Sequence, residues 1–159
     1  MGTKATQIVG LDVKEVVNDL RRAYADEWLA AQGYLYMAQI VSGRPAAERV
    51  AAALKEIAAE EMEHQDELAE RITVLGGKPP KSFEEITKAA NAPFPQTPAD
   101  PTDMDAMIQA TIEAERGAIE VYQKLATKCH GKDLLTYELA VHILGEEVEH
   151  EDKFESMAS

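Results

Sequence analysis

Two five-residue segments of the chain carry almost the same set of charged side chains. Residues 60–64 read Glu-Glu-Met-Glu-His, and residues 146–150 read Glu-Glu-Val-Glu-His. Residues three positions apart on an α-helix share a face about one turn apart, so the Glu and His of each Glu-x-x-His point in the same direction. Carboxylate oxygen and imidazole nitrogen both bind divalent transition metals. Each segment therefore predicts part of a metal site.

A lone glutamate precedes each of these segments at a similar distance. Glu27 lies 34 positions before Glu61, and Glu115 lies 32 positions before Glu147. Each half of the chain thus pairs one helix carrying a single glutamate with one helix carrying Glu-x-x-His. We interpret the two halves as two copies of a helical hairpin.

The candidate ligands are predicted to point into the core, because apolar residues such as Ile57 and Leu68 bracket them on the same helical faces. Burying a carboxylate costs several kcal/mol unless it is paired or bound to metal. Two divalent cations would balance the formal charge of −4 on four such carboxylates. The chain therefore predicts a dinuclear metal site. Its candidate ligands are Glu27, Glu61, His64, Glu115, Glu147 and His150.

Further polar residues lie close to this set. Four neighbouring glutamates fall on other parts of their helices, where solvent exposure or subunit contact is expected: Glu60, Glu63, Glu146 and Glu149. For Glu60 and Glu146, hydrogen bonding to the opposite histidines is the alternative. Tyr34 and Tyr122 each follow a lone glutamate by seven residues, two helical turns. Core packing is the favoured interpretation of both, with a hydrogen bond to a ligand carboxylate or electron donation as alternatives.

Four long helices are predicted to position these residues. Apolar residues recur at steps of three and four over 12–42, 45–76, 103–129 and 133–157. The connection over 78–101 contains six prolines, and Ser82 followed by Glu85 predicts a short helix at 82–90 with Phe83 and Ile86 facing inward. Nothing in the sequence indicates a strand. The expected fold is all-α: one domain over 1–159, a four-helix bundle whose long crossover carries a short extra helix.

Composition narrows the function classes. The formal net charge of −13 argues against electrostatic binding to nucleic acid or to an anionic membrane, and it favours cations as partners. No apolar run is long enough to span a bilayer. The single cysteine, Cys129, excludes an internal disulfide and a multi-cysteine metal site, and it favours a reducing, cytoplasmic location.

The six candidate ligands resemble those of the di-iron carboxylate proteins of the ferritin-like superfamily, and the pattern is most similar to that of the bacterioferritins. The resemblance implies two iron ions per subunit, with Glu61 and Glu147 as shared ligands. It also implies a ferroxidase that oxidises Fe(II) with O₂ or H₂O₂ and stores Fe(III) as a mineral inside a homo-oligomeric shell. The alternatives are a di-metal oxidase or di-manganese catalase that stores nothing, and a haem or metal carrier.

Two features depart from the bacterioferritin pattern. Only nine residues follow His150, too few for the fifth helix of 24-subunit shells, whereas the predicted helix at 82–90 resembles that of the Dps family. The whole chain is therefore most similar to the Dps-like proteins that keep a bacterioferritin-type site inside the subunit. This resemblance implies 12 subunits, with 24 as the alternative. Some Dps-like proteins with a bacterioferritin-type site carry a cysteine pair near it, which the lone Cys129 cannot reproduce. Met62 stands where bacterioferritins place a haem-binding methionine. Packing at a helix contact is the favoured interpretation of Met62, and haem binding is the alternative.

Overall fold

The computed structural model describes residues 3–43 and 45–158, and the regular secondary structure of these residues is helical, with no strand. This confirms the predicted all-α fold. The helices are α1 (Lys4–Gln7), α2 (Val13–Ile40), α3 (Ala47–Val74), α4 (Phe83–Ala89), α5 (Met104–Cys129) and α6 (Leu134–Glu155). The ends of the five predicted helices lie within two residues of the predicted positions, and α1 was not predicted.

Local chemistry fixes where the long helices begin and end. The side chain of Asp12 accepts a hydrogen bond at 2.8 Å from a backbone N–H in the first turn of α2. Asp103 and Asp133 begin α5 and α6 in the same way. Gly76 and Gly131, which follow α3 and α5, adopt φ of +85° and +70°, a left-handed conformation that favours glycine.

The bundle consists of two helical hairpins, α2 with α3 and α5 with α6. Its interior contains two apolar layers, one around Met37 and Phe154 and the other around Leu20 and Ile143. On each long helix, the candidate ligand positions fall between these layers. The apolar layers therefore place the polar residues of all four helices at the same depth in the bundle.

A buried ion pair connects the two hairpins near one end. Nη2 of Arg71, a residue of α3, lies 2.7 Å from Oδ1 of Asp133. Nε of Arg71 donates a hydrogen bond to Oγ1 of Thr136 at 2.8 Å. Because Asp133 also caps α6, this network fixes the start of α6 against α3. Glu147 and His150 lie further along α6, so the network helps to set their depth relative to α3.

The short helix α4 packs on the outside of α2. Ile86 is buried against Ala25 and Leu29, as predicted. The prediction that Phe83 also faces inward is wrong, because its side chain is 62% exposed. Phe83 is the first residue of α4, and its ring meets the ring of Trp28 edge-on with centroids 5.8 Å apart, which leaves one ring face to solvent.

Among residues 3–43 and 45–158, no helix has both the length and the apolar character needed to cross a membrane.

Candidate dinuclear metal centre

The structure brings all six predicted ligand side chains together in the middle of the bundle. Each is at most 3% exposed. Their ligand atoms form two groups, within each of which all atoms lie within 4.8 Å of one another. One group is Glu27, Glu61, His64 and Glu147, and the other is Glu61, Glu115, Glu147 and His150. Because Glu61 and Glu147 belong to both groups, the six side chains form two adjacent groups that share two carboxylates, and each group could hold a metal ion.

Both histidines direct Nδ1 toward the carboxylates. Nδ1 of His64 lies 3.0 Å from Oε2 of Glu61 and 3.2 Å from Oε1 of Glu147. Nδ1 of His150 lies 3.4 Å from Oε2 of Glu115 and 3.5 Å from Oε1 of Glu61. The two imidazole rings are stacked, with centroids 6.2 Å apart. Nδ1 is therefore the atom of each histidine that faces the buried carboxylates.

The other ring nitrogen of each histidine contacts a carboxylate from the opposite hairpin. Nε2 of His64 lies 2.7 Å from Oε2 of Glu146, and Nε2 of His150 lies 2.5 Å from Oε2 of Glu60. These contacts agree with the alternative interpretation, in which Glu60 and Glu146 form hydrogen bonds with the opposite histidines. A carboxylate at Nε2 holds the proton there, so that Nδ1 can offer its lone pair to a metal.

The two tyrosines also reach across the bundle. Tyr34 donates a hydrogen bond to Oε1 of Glu115, and Tyr122 donates one to Oε1 of Glu27. Both tyrosines are 1% exposed and also belong to the apolar layers. Core packing, the favoured interpretation, therefore describes only part of their role, because each also orients a carboxylate of the centre.

The electrostatics of the centre favour positive charge. Burial raises the pKa of Glu27 and Glu115 well above 4.5, and the carboxylate of Glu147 adds to this for both. Burial alone would lower the pKa of His64 and His150, but the surrounding carboxylates outweigh it and raise both values above 6.5. Without metal, the raised pKa values therefore favour protons on Glu27, Glu115 and the two histidines. Metal cations would replace these protons.

Several buried polar atoms in the centre have no hydrogen-bond partner within the described part of the chain. They are Oε2 of Glu115, both carboxylate oxygens of Glu147 and Nδ1 of His150. A buried polar atom without a partner is unfavourable by about 1–3 kcal/mol. All of these atoms belong to the six predicted ligands. Divalent cations bound by these atoms would satisfy them, so the donor set fits a pair of metal ions.

Three further residues that could take part in metal or redox chemistry, Cys129, Met62 and His142, lie outside the two ligand groups. Cys129 is buried in an apolar layer, and this burial raises the pKa of its thiol to about 11. Met62 is 43% exposed, and neither packing at a helix contact, the favoured interpretation, nor haem binding, the alternative, is tested by this exposure. His142 is half-exposed, and its Nε2 lies 3.5 Å from Oε2 of Glu67. The hydrogen bonds from Tyr34 and Tyr122 were only an alternative at the level of sequence, since helical spacing does not show what a side chain meets across a bundle.

Comparison with known proteins agrees with this architecture. The sequence profile of the ferritin-like domain matches residues 17–159. The chain belongs to the ferritin-like family. A curated relative of this ferritin-like chain is the DNA protection during starvation protein of Pyrococcus furiosus, which is 32% identical over 148 residues, 93% of the chain and 79% of the relative.

Solved structures give the same fold for this ferritin-like chain. The bacterioferritin-related protein of Bacteroides fragilis, described as a dodecameric thioferritin, superposes with a TM-score of 0.91 at 32% identity, over 98% of the chain and 92% of that protein. The Dps protein of Vibrio cholerae O1 superposes with a TM-score of 0.83 at 19% identity, over 92% of the chain and 91% of that protein. At 19% identity, the second likeness concerns the fold alone.

Proposed function

We propose that this ferritin-like protein is a ferroxidase that oxidises Fe(II) with O₂ or H₂O₂ and stores the resulting Fe(III) as a mineral. The observation that carries the proposal is the sharing of Glu61 and Glu147 between two four-residue ligand groups. Shared carboxylates place two Fe(II) ions side by side. Two Fe(II) ions supply two electrons, which together with two protons reduce either O₂ to H₂O₂ or H₂O₂ to two water molecules.

Each part of the centre has a role in this proposal. Glu27 and His64 complete one iron position, and Glu115 and His150 complete the other. Nδ1 of each histidine binds iron, and the carboxylate on Nε2 makes the imidazole a stronger ligand. The tyrosine hydroxyls fix the orientation of the two unshared carboxylates. Four carboxylates balance two Fe(II) ions, so loading with Fe(II) leaves the buried centre without net charge.

Storage requires a closed assembly, and we propose a homo-oligomer of 12 subunits, with 24 as the alternative. The Bacteroides fragilis protein, whose structure overlaps nearly the whole chain, is described as dodecameric. The separate helix α4 in the crossover also supports the smaller shell. We place the protein in the cytoplasm.

The name of the Pyrococcus furiosus relative refers to DNA protection. Direct binding of DNA by this chain has no electrostatic basis, because the formal net charge is −13. We propose instead that protection is chemical. Consumption of Fe(II) together with peroxide removes the two reactants that generate damaging radicals, and no contact with nucleic acid is needed.

The proposal is tested by measuring mass, metal content and Fe(II) oxidation on one preparation. Light scattering on 12 chains of 17.5 kDa is expected to give about 210 kDa, and anaerobic titration two divalent ions per chain. Glu61→Gln is expected to slow oxidation of the first two Fe(II) ions by more than about 100-fold. Glu63→Gln, an exposed residue on the same helical turn, is the matched control and is expected to behave as the wild type.

Other outcomes identify the alternatives. Equal oxidation rates in the Glu61→Gln variant and the wild type would refute the assignment of the centre. A particle no larger than a dimer with intact Fe(II) oxidation would favour an oxidase without storage. Rapid peroxide disproportionation by manganese-loaded protein, with slow Fe(II) oxidation, would favour a catalase.

A further inference from the structure

The two sides of the metal centre differ in their access to solvent, and the difference concerns the route of the metal. We propose that Fe(II) reaches the centre from the α2/α5 side of the bundle, through a cavity roofed by the crossover segment 91–96, and that the α3/α6 side is closed to it. This inference rests on the proposed function, since it concerns how the same centre is loaded.

The cavity has a volume of about 540 Å³ and lies between α2 and α5. Its lining includes Glu27, Glu61, Glu115 and Glu147, which form its floor. The lining also includes exposed residues such as Gly117. The lining of this cavity thus extends from exposed residues to the four buried glutamates of the centre.

Small side chains keep this passage wide. Ala30 and Ala118 stand one turn after Glu27 and Glu115 on their helices, and both line the cavity. Ala114 and Gly117 line it as well. At Ala30 and Ala118, one turn from the glutamates, a large side chain would extend over the carboxylate floor. Their small size leaves space above the metal positions where the two helices would otherwise close.

The roof of the cavity is fastened at both ends, so that it does not collapse into the space. At one end, the carboxylate of Asp26 accepts hydrogen bonds from the backbone N of Asn91 at 2.7 Å and from its side-chain Nδ2 at 2.6 Å. At the other end, Pro95 lies so close to Gly33 that a Cβ at residue 33 would stand 2.8 Å from Cγ of the proline. The segment between these two points spans the cavity as a strap.

The opposite side of the centre is closed by side chains. The imidazoles of His64 and His150 fill the space between α3 and α6, and they are 1% and 3% exposed. Glu146 and Glu60 cover the outer nitrogens of these rings at 2.7 Å and 2.5 Å. A metal ion arriving from this side would have to displace a histidine ligand together with its carboxylate partner.

The charges around the mouth of the cavity suit a cation. Glu113 and Glu120 are exposed residues of its lining, and Asp26 lies at the strap. The ammonium of Lys124, also in the lining, lies 3.1 Å from Glu120, which partly neutralises that carboxylate. A negative surface at the mouth of a cleft raises the local concentration of cations and their association rate.

The route is tested with Co(II), whose binding is followed anaerobically by visible absorbance in a stopped-flow instrument, so that no oxidation is involved. Gly117→Phe places a ring at the mouth of the cavity. The matched control is Gly145→Phe on α6, since a Cβ at either glycine meets no atom within 4 Å and both residues are exposed and helical. Ala118→Leu narrows the cavity at a deeper point and serves as a second variant.

For Gly117→Phe and Ala118→Leu, the association and dissociation rates of Co(II) are expected to fall together by about tenfold or more, so that Kd changes by less than about twofold. A blocked passage slows movement in both directions and leaves the bound state unchanged. The Gly145→Phe variant is expected to match the wild type. Wild-type rates in both cavity variants, or a change in Kd with an unchanged dissociation rate, would overturn the route. Failure of the wild type to bind Co(II), or full binding by Glu61→Gln, would instead refute the proposed function.

Discussion

Tyr34 of α2 donates a hydrogen bond to Glu115 of α5, and not to Glu27, the lone glutamate of its own helix. Tyr122 of α5 donates in turn to Glu27 of α2. The two bonds cross between the hairpins in a nearly symmetrical way, as do the contacts that join the histidines to Glu60 and Glu146. Each proposed iron position therefore depends on residues from both halves of the chain.

Loss of either tyrosine hydroxyl is expected to weaken the metal-free protein. Tyr34→Phe removes the donor to Glu115 and leaves another buried carboxylate oxygen without a partner, which costs about 1–3 kcal/mol. The free energy of unfolding, measured by urea denaturation of the metal-free protein, is expected to fall by this amount. The control is Tyr137→Phe, because the ring of Tyr137 lies against His130, away from the centre. Equal stability of Tyr34→Phe and the wild type would show that this hydrogen bond contributes nothing.

The carboxylates on the outer histidine nitrogens are expected to strengthen metal binding without touching metal. Glu146→Ala removes the acceptor from Nε2 of His64, so the imidazole becomes a weaker and less well oriented ligand. Loss of such a partner typically lowers metal affinity by about 10- to 100-fold. Anaerobic titration calorimetry with Co(II) measures the effect. Glu149→Ala, an exposed glutamate on the same helix, is expected to bind with wild-type affinity.

The stability of the metal-free protein is expected to decrease as pH rises from about 6.5 to 8.5. The pKa values of Glu27, Glu115, His64 and His150 are raised in the folded protein, so above the ordinary values of 4.5 and 6.5 it binds more protons than the unfolded chain. For each additional proton that the folded protein binds, the free energy of unfolding falls by about 1.4 kcal/mol when the pH rises by one unit. The lowered pKa of Glu147, about 2, has the opposite sign, but its effect on the slope is confined to pH values near and below 4.5.

Thermal melts at several pH values test this dependence. With a saturating divalent metal, the decrease in stability with rising pH is expected to vanish or reverse. The metal replaces the protons on its ligands, and it binds more tightly at higher pH because those ligands have lost their protons. A melting temperature of the metal-free protein that rises steadily up to pH 8.5 would contradict the assignment of these pKa shifts.

Metal binding is expected to stabilise the folded protein through the six central residues. Anaerobic Co(II) at 100 times its Kd is expected to raise the free energy of unfolding by about 2.7 kcal/mol for each ion that binds the folded state alone. The double variant His64→Ala, His150→Ala is expected to lose most of this gain. The variant His130→Ala, which removes a histidine outside the centre, is expected to retain it. Equal stabilisation of both variants would indicate metal binding at the surface.

The sequence was sufficient to predict the helices and the residues that meet at the centre, because both depend on periodicity. Glu61 and His64 share a helical face, and apolar residues on that face show that it is buried. Repetition of the pattern at Glu147 and His150 then implies that the two faces meet. The contacts of Glu60 with His150 and of Tyr122 with Glu27 were harder to predict, since they depend on how the hairpins are offset along the bundle axis.

The crossover was predicted less well for a related reason. Phe83 and Ile86 stand three residues apart on a short helix and look equivalent in sequence, yet only Ile86 is buried. Which side of a seven-residue helix packs inward depends on the path of the chain before and after it. The strap over the cavity depends likewise on distant contacts, those of Asn91 with Asp26 and of Pro95 with Gly33, which no spacing rule indicates.

A final prediction concerns assembly: substitution of the exposed Phe83 tests α4 as a subunit contact, and substitution of the buried Ile86 tests the packing of α4 within the subunit. Phe83 is 62% exposed and Ile86 is 5% exposed against α2. If α4 contributes to a subunit contact in the proposed shell, Phe83→Glu is expected to shift the mass from about 210 kDa toward smaller species while the circular dichroism spectrum and melting of the subunit stay intact. Ile86→Glu buries a charge within the subunit, so it is expected to lower the melting temperature, and any loss of assembly would then be secondary. Light scattering combined with thermal melts separates the two effects. A Phe83→Glu variant that still forms a particle of about 210 kDa would show that α4 lies outside the subunit contacts, and the expectation of a shell built around this helix would then be wrong.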